Sequence, residues 1–83
     1  MTRIEDHLVK AIIDIAIFLE FTEAGLLNED AAVGAMEQLS GELQQMDEYD
    51  QKELSQKIIA LAPAHGSPHK EFIETLPEAL GLV

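Results

Sequence analysis

Cysteine and tryptophan are absent from the 83-residue chain, and Lys and Arg together number only 5. Without cysteine the chain has no disulfide framework and no thiolate metal site. Against 16 Asp and Glu residues, the few basic residues leave a formal net charge of −11. This balance argues against a nucleic-acid-binding protein, because contacts to phosphate groups need Lys and Arg.

Long apolar runs are also missing. The most apolar stretch, Ala11 to Leu19, is interrupted by Asp14 and falls far short of the roughly 20 apolar residues of a membrane-spanning helix. The first ten residues include Glu5 and Asp6, which is unlike the basic beginning of a signal peptide. We therefore expect a cytoplasmic protein that does not act at a membrane.

Apolar residues recur at intervals of three and four in four segments, and no segment alternates with the period of a β-strand for long. The predicted helices cover residues 3–24, 29–46, 51–62 and 68–76. A chain of this length and pattern is expected to form a single all-α domain, a small bundle of three to four antiparallel helices.

Polar residues of the usual capping types precede the predicted helices, where a side-chain oxygen can accept a free backbone N–H of the first turn. The predicted N-caps are Thr2, Asn28, Asp50 and Ser67. Thr2 with Glu5 and Asp50 with Glu53 have the spacing of capping boxes, and Pro68 is predicted at the first helical position. Gly25 and Pro77 are predicted to end the first and last helices.

The first helix carries more apolar surface than one packing face requires. At about 100° per residue its apolar residues span roughly 200°, whereas a helix on the surface of a bundle needs only about 100°. Either this helix is central in the monomer and residues 72–83 fold over Ile17 and Phe21, or the surplus forms a homodimer or partner interface. The residues predicted for that interface are Val9, Ile13, Ile17, Phe18 and Phe21.

Acidic residues are concentrated in the middle of the chain, where residues 11–51 contain ten Asp and Glu but no Lys or Arg. Charge runs often serve only solubility, but a basic partner would turn the repulsion within this block into attraction. The predicted partner-binding residues are Glu29, Asp30, Glu37, Glu42, Asp47, Glu48, Tyr49 and Asp50. Tyr49 is interpreted either as an aromatic anchor for the partner or as one half of a hydrophobic staple with Leu54.

No pattern for catalysis or for a cofactor is present. His65 and His69 are four residues apart, but Gly66 and Pro68 lie between them and no third ligand has diagnostic spacing. The serines match neither the Gly-x-Ser-x-Gly elbow of hydrolases nor the Asp-Ser-Leu motif of acyl carrier proteins. We therefore expect neither an enzyme nor a bound metal or cofactor.

The sequence favours a non-enzymatic, acidic protein-binding module that docks a basic protein partner. In general character the chain is similar to small acidic immunity proteins and antitoxins, which points to an inhibitor that covers the active site of a toxin, although no motif ties it to either group. The alternative is a structural or regulatory homo-oligomeric subunit, most simply a homodimer, that acts through the apolar face of the first helix. Salt separates the two, because screening weakens charged contacts and spares apolar docking.

Overall fold

Four α-helices build the fold across residues 3–23 and 25–83, which are the residues that the computed structural model describes. They are α1 (Ile4–Phe21), α2 (Glu29–Leu43), α3 (Glu48–Leu61) and α4 (His69–Ala79), and a 3-10 turn over Ala62–Ala64 joins the last two. These ranges contain no strand. The prediction of an all-α bundle of up to four helices is confirmed.

The hydrophobic core lies where α1, α3 and α4 meet. Its buried apolar side chains are Val9, Ile13 and Ala16 from α1, Leu54 and Ile58 from α3, Ala62 from the 3-10 turn, and Ile73, Leu76, Leu80 and Leu82 from α4 and the residues after it. The three α1 positions are four and three residues apart, so they form one narrow stripe along the helix. Each large aliphatic side chain that is fully buried contributes about 1.5–3 kcal/mol.

The rest of α1 is not surrounded by the chain. Phe72 packs edge-on against Phe21, with ring centroids 5.4 Å apart, yet Phe21 remains 40% exposed. Ile15 and Phe18 are exposed as well. Residues 72–83 therefore cover the inner face of α1 through the core and reach Phe21, but they leave the outer face of the helix uncovered.

The outermost helix of the bundle is α2. No side chain in Glu29–Leu43 is fully buried. Its apolar residues Met36, Leu39 and Leu43 are half-buried and pack against the edge of the core, and its main neighbour is α1. Little of the stability of the fold therefore comes from the side chains of α2.

Two glutamine side chains fasten the C-terminal end of α2. Gln44 donates from Nε2 to the carbonyl oxygen of Leu80 at 2.9 Å. Gln51 donates from Nε2 to the carbonyl oxygens of Gln44 at 3.0 Å and Met46 at 2.7 Å. Carbonyl groups at a helix end have no partner within the helix, so the Gln51 amide supplies hydrogen bonds that the end of α2 lacks, and the Gln44 amide links that end to α4.

The N-caps of α2 and α3 illustrate one correct and one wrong prediction. Asn28 caps α2, and its Oδ1 accepts the backbone N–H three residues later at 3.0 Å. At α3 the cap is Asp47, whose Oδ1 accepts the N–H of Asp50 at 2.9 Å. Because Asp47 comes first and already caps the helix, Asp50 lies inside the first turn, and neither its predicted capping box nor the predicted Tyr49–Leu54 staple forms as positioned.

The boundaries of α1 also differ from those predicted. Thr2 and Ala24, the predicted cap and last residue, lie outside the described residues. The helix ends before Thr22, whose N–H and Oγ1 both donate to the carbonyl oxygen of Phe18. Gly25 is therefore not the helix stop, because a local side-chain bond ends the helix sooner.

The last helix continues through Pro77 instead of ending there. Pro77 is fully buried, and its carbonyl oxygen accepts the N–H of Leu82 at 2.9 Å, while Gly81 donates to the carbonyl of Glu78 at 3.0 Å. These two bonds form a Schellman motif, whose C′ residue takes a positive φ; Gly81 has φ 74°. The buried ring and the motif together outweigh the one helix hydrogen bond that proline lacks.

Replacing Gly81 with alanine should destabilise the protein. The new Cβ would occupy a left-handed conformation and collide with the side-chain amide of Gln44. We expect Gly81→Ala to lower the free energy of unfolding by about 1–2 kcal/mol, measured by urea denaturation followed by circular dichroism. The matched control is Gly34→Ala inside α2, where a Cβ meets open space and stability should rise by about 0.5–1 kcal/mol. Equal effects of the two substitutions would contradict this account of the C-terminal turn.

The first turn of α4 is stabilised by a side-chain pair. The helix begins at His69, after Pro68, so the predicted cap Ser67 lies one position too early. Its hydroxyl instead donates to Oε1 of Glu71 at 2.5 Å. This bond, aided by the backbone N–H of Glu71 and the charge of Lys70, holds the pKa of the exposed Glu71 carboxyl below its ordinary value.

A lowered carboxyl pKa stabilises the folded state above the ordinary pKa, and the stabilisation is lost as the pH falls through the lowered value. Ser67→Ala should therefore raise the pKa of Glu71 towards its ordinary value, measured by NMR titration of its carboxyl group. The thermal stabilities of this variant and the natural protein should converge at acidic pH. Ser67→Thr keeps the hydroxyl and should preserve the lowered pKa; an unchanged pKa in Ser67→Ala would assign the shift to the backbone.

Candidate protein-binding surface

A shallow groove runs between α1 and α2. It comprises a cavity of about 550 Å³ and an adjoining one of about 380 Å³. The two cavities share Leu19, Glu20, Ala32 and Val33 as lining residues. We call this continuous depression the α1–α2 groove.

The groove has apolar and acidic lining residues. Leu19, Val33 and Met36 are apolar, whereas the carboxylates come from Glu20, Glu29, Asp30 and Glu37. On α2 this arrangement follows from spacing: Asp30, Val33 and Glu37 are three and four residues apart, so they share one helix face. The groove therefore offers apolar contact area beside concentrated negative charge.

The negative charge of the groove is not neutralised from within the described part of the chain. Its lining there includes no Lys, Arg or His. The ion pairs formed by residues 3–23 and 25–83 are Arg3–Glu5 at 3.8 Å, at the start of α1, and Lys10–Asp14 at 2.9 Å, in its middle. Carboxylates without a counter-charge repel one another, and a cationic partner would relieve that repulsion.

The predicted partner-binding residues do not form one surface. Glu29, Asp30 and Glu37 line the α1–α2 groove. Glu48 instead lines a separate depression beside the C-terminal residues, and Asp50 lines a depression between α1 and α3. Only the α2 acids among these therefore converge on the groove.

The remaining predicted residues are exposed, but they lie at different places on α2 and at the start of α3. Glu42 is exposed on α2 and is not part of the described groove lining. Tyr49 is 70% exposed in the first turn of α3, which leaves its ring accessible to a partner. Asp47 already uses a carboxylate oxygen to cap α3, so its carboxylate has a structural function.

Sequence reasoning missed Glu20, Leu19, Val33 and Met36 as members of a site. Glu20 belongs to the acidic block, but its distance along the chain from Glu37 gives no sign that the two line one groove. Val33 is exposed and off the apolar stripe of its helix. An apolar residue placed between acids on a polar helix face is the signal that could have identified it.

The predicted oligomer interface requires a correction. Val9 and Ile13 are buried inside the monomer, so they cannot contact a second molecule, and Ile17 is half-buried. Phe18 and Phe21 are exposed. Of the five residues predicted for an interface, the core therefore takes Val9 and Ile13, and Phe18 and Phe21 stay accessible.

His65 and His69 each contact another group of the fold. Nδ1 of His65 lies 3.2 Å from the carbonyl oxygen of Leu61, and the ring of His69 packs against Phe21 with centroids 4.6 Å apart. In the part of the chain that the structure describes, no three His, Asp or Glu side chains gather as metal ligands would. Nor does any described helix combine the length and apolar character needed to cross a membrane.

Comparisons of the chain with protein-family models, curated protein sequences and solved structures give no match. The function is therefore inferred from the surfaces themselves. An apolar groove bordered by carboxylates is suited to an amphipathic segment that presents Lys or Arg beside apolar side chains.

Asp47 provides a test of which carboxylates are structural. We expect Asp47→Ala to lower the free energy of unfolding by about 1 kcal/mol, because the N-cap is lost. Asp47→Asn keeps an acceptor of similar capping strength and should be close to the natural protein in stability, as measured by urea denaturation. If the two variants were equally destabilised, charge at residue 47 and not the capping bond would be responsible.

Proposed function

We propose that the protein is a non-enzymatic protein-binding module that docks a basic segment of a partner protein in the α1–α2 groove. The observation that carries this proposal is the groove itself: apolar side chains lie beside Glu20, Glu29, Asp30 and Glu37, and residues 11–51 contain no Lys or Arg to neutralise them. The proposal assigns no catalytic residue.

The groove also suggests what the partner segment looks like. Leu19, Val33 and Met36 offer contacts for apolar anchors, and the carboxylates at the edge select Lys or Arg beside those anchors. A helix with anchors three and four residues apart meets both demands, as in other helix-in-groove complexes. The 15 residues of α2 provide about 22 Å of groove wall, enough for about four turns of a partner helix.

The net charge of −11 extends this preference beyond the groove. A strongly acidic surface steers a basic partner during its approach and raises the association rate. A toxin that acts on an anionic substrate presents such a basic surface. Within the proposal, the most specific version is therefore an immunity- or antitoxin-type inhibitor that covers the basic active site of its target.

A pair of charge-matched variants tests the groove. The groove variant carries Glu20→Lys and Glu37→Lys; the control carries Glu42→Lys and Glu74→Lys, both at exposed positions outside the described groove lining. Each variant changes the net charge by the same four units. Immobilised protein is exposed to lysate of its source cell, washed with rising salt, and the retained proteins are identified by mass spectrometry.

We expect a basic protein to be retained by the natural protein and by the control and lost from the groove variant. Its release should occur at moderate salt, because screening weakens contacts between exposed charges. Circular dichroism of both variants checks that the fold is intact. Equal retention by all three proteins, or loss from both variants, would show that the groove is not the binding site.

A further inference from the structure

The face of α1 that points away from the core carries a second apolar surface. Ile4, Leu8, Ile15 and Phe18 are between 53% and 73% exposed, and the exposed Ala11 lies at their centre. These five positions are four, three, four and three residues apart, which is the spacing of a helix-pairing seam. We call this set the α1 stripe.

The α1 stripe is separate from the α1–α2 groove. None of its five residues is among the described lining of the groove, and none belongs to the buried core. A molecule bound to the stripe would leave the groove open. An inference about the stripe therefore goes beyond the proposed function and does not depend on it.

The stripe is nearly symmetric about Ala11. Ile4 and Phe18 lie seven residues before and after it, and Leu8 and Ile15 lie three before and four after. Two antiparallel copies related by a two-fold axis near Ala11 therefore bring Ile4 opposite Phe18 and Leu8 opposite Ile15. The small Ala11 side chains would meet at the axis, where two helix backbones approach most closely.

The charges beside the stripe favour the same arrangement. Lys10 and Asp14 are both exposed and pair within one copy at 2.9 Å, and they flank the stripe on one side. In an antiparallel pair that side faces its own equivalent, so Lys10 of one copy lies within about a turn of Asp14 of the other. Arg3 and Lys10 are the only Lys or Arg residues before Lys52, so the N-cap and first half of α1 have basic residues beside their acids, unlike the chain from residue 11 to residue 51.

We infer that two copies of the protein pair through their α1 stripes in antiparallel orientation. Pairing would remove on the order of 400 Å² of apolar side-chain surface from each copy, since a whole aromatic side chain buries ~150–250 Å² and the aliphatic ones less. Stable interfaces bury about 800 Å² per partner, so the dimer forms reversibly. The pair is weak by this measure, and it presents two grooves, one on each copy.

Sedimentation equilibrium of the natural protein from about 5 to 500 μM, the range suited to an interface of this size, tests the pairing. We expect a reversible monomer–dimer equilibrium. Ile15→Glu should weaken it at least about tenfold, because pairing would bury an unpaired charge. The matched control is Ile59→Glu, a residue of the same type on α3 that is 46% exposed against 53% for Ile15; it should leave the equilibrium unchanged.

The absence of cysteine allows the orientation to be tested by single introduced thiols. Ala11→Cys should form a cross-linked dimer with a short bis-maleimide reagent. Ile4→Cys should not, because its two copies lie about 20 Å apart in the antiparallel pair. Cross-linking through both Ala11→Cys and Ile4→Cys would show a parallel pair, in which each position faces its own equivalent, and would overturn the inference.

A natural protein that stays monomeric at all concentrations, or a dimer unaffected by Ile15→Glu, would also overturn the inference. If the monomer instead lost a captured partner protein on Ile15→Glu, the stripe would belong to that partner and not to a second copy. None of these outcomes depends on the groove variants, so the dimer and the proposed function fail independently.

Discussion

The junction of α1, α3 and α4 is the constraint on which the rest of the structure depends. Ile13, Ile58, Ile73 and Leu76 are fully buried there. Three short helices can bury only a small number of side chains between them, and these residues fill that space. Across residues 3–23 and 25–83 no further helix closes the bundle on every side. The far face of α1 and the groove beside α2 are among the surfaces left open.

The position of α2 follows from that constraint. Without a fully buried side chain, this helix rests on the half-buried edge of the core and on two amide side chains. Gln51 holds the turn after α2, and Gln44 ties that turn to Leu80 at the end of α4. Gly81 permits this tie, because a larger residue beside Leu80 would push against the Gln44 side chain. Hydrogen bonds thus hold α2 at one end while apolar contacts hold it along its length.

The sequence predicts local features well where the physical cause is itself local. Four helices and the Asn28 cap follow from periodicity and from one side chain acting on the nearest turn. The sequence does not decide between Asp47 and Asp50 as the cap of α3. Both side chains can accept the N–H of the first turn, and the path of the preceding turn selects Asp47. The prediction that Pro77 ends α4 is wrong because burial of its ring depends on the tertiary packing.

For the surfaces too, the sequence predicts local features but not those that depend on tertiary packing. Periodicity gives the width of the apolar arc on α1, but the neighbours of the helix decide that Val9 and Ile13 face inwards and Leu8 and Ile15 outwards. The acidic block is visible as a count of charges. The sequence does not show that these acids are divided among a groove and two other depressions. Glu20 and Glu37, for example, line the same cavity only because α1 packs against α2.

The weak anchoring of α2 has a consequence for how the groove responds to an occupant. A helix without buried side chains opens at a lower free-energy cost than the core helices, so its amide hydrogens exchange with solvent through local openings. A ligand that bridges α1 and α2 binds only the closed arrangement and therefore suppresses those openings. Binding of a ligand in the groove should therefore slow amide exchange along the whole of α2, including turns that the ligand does not contact.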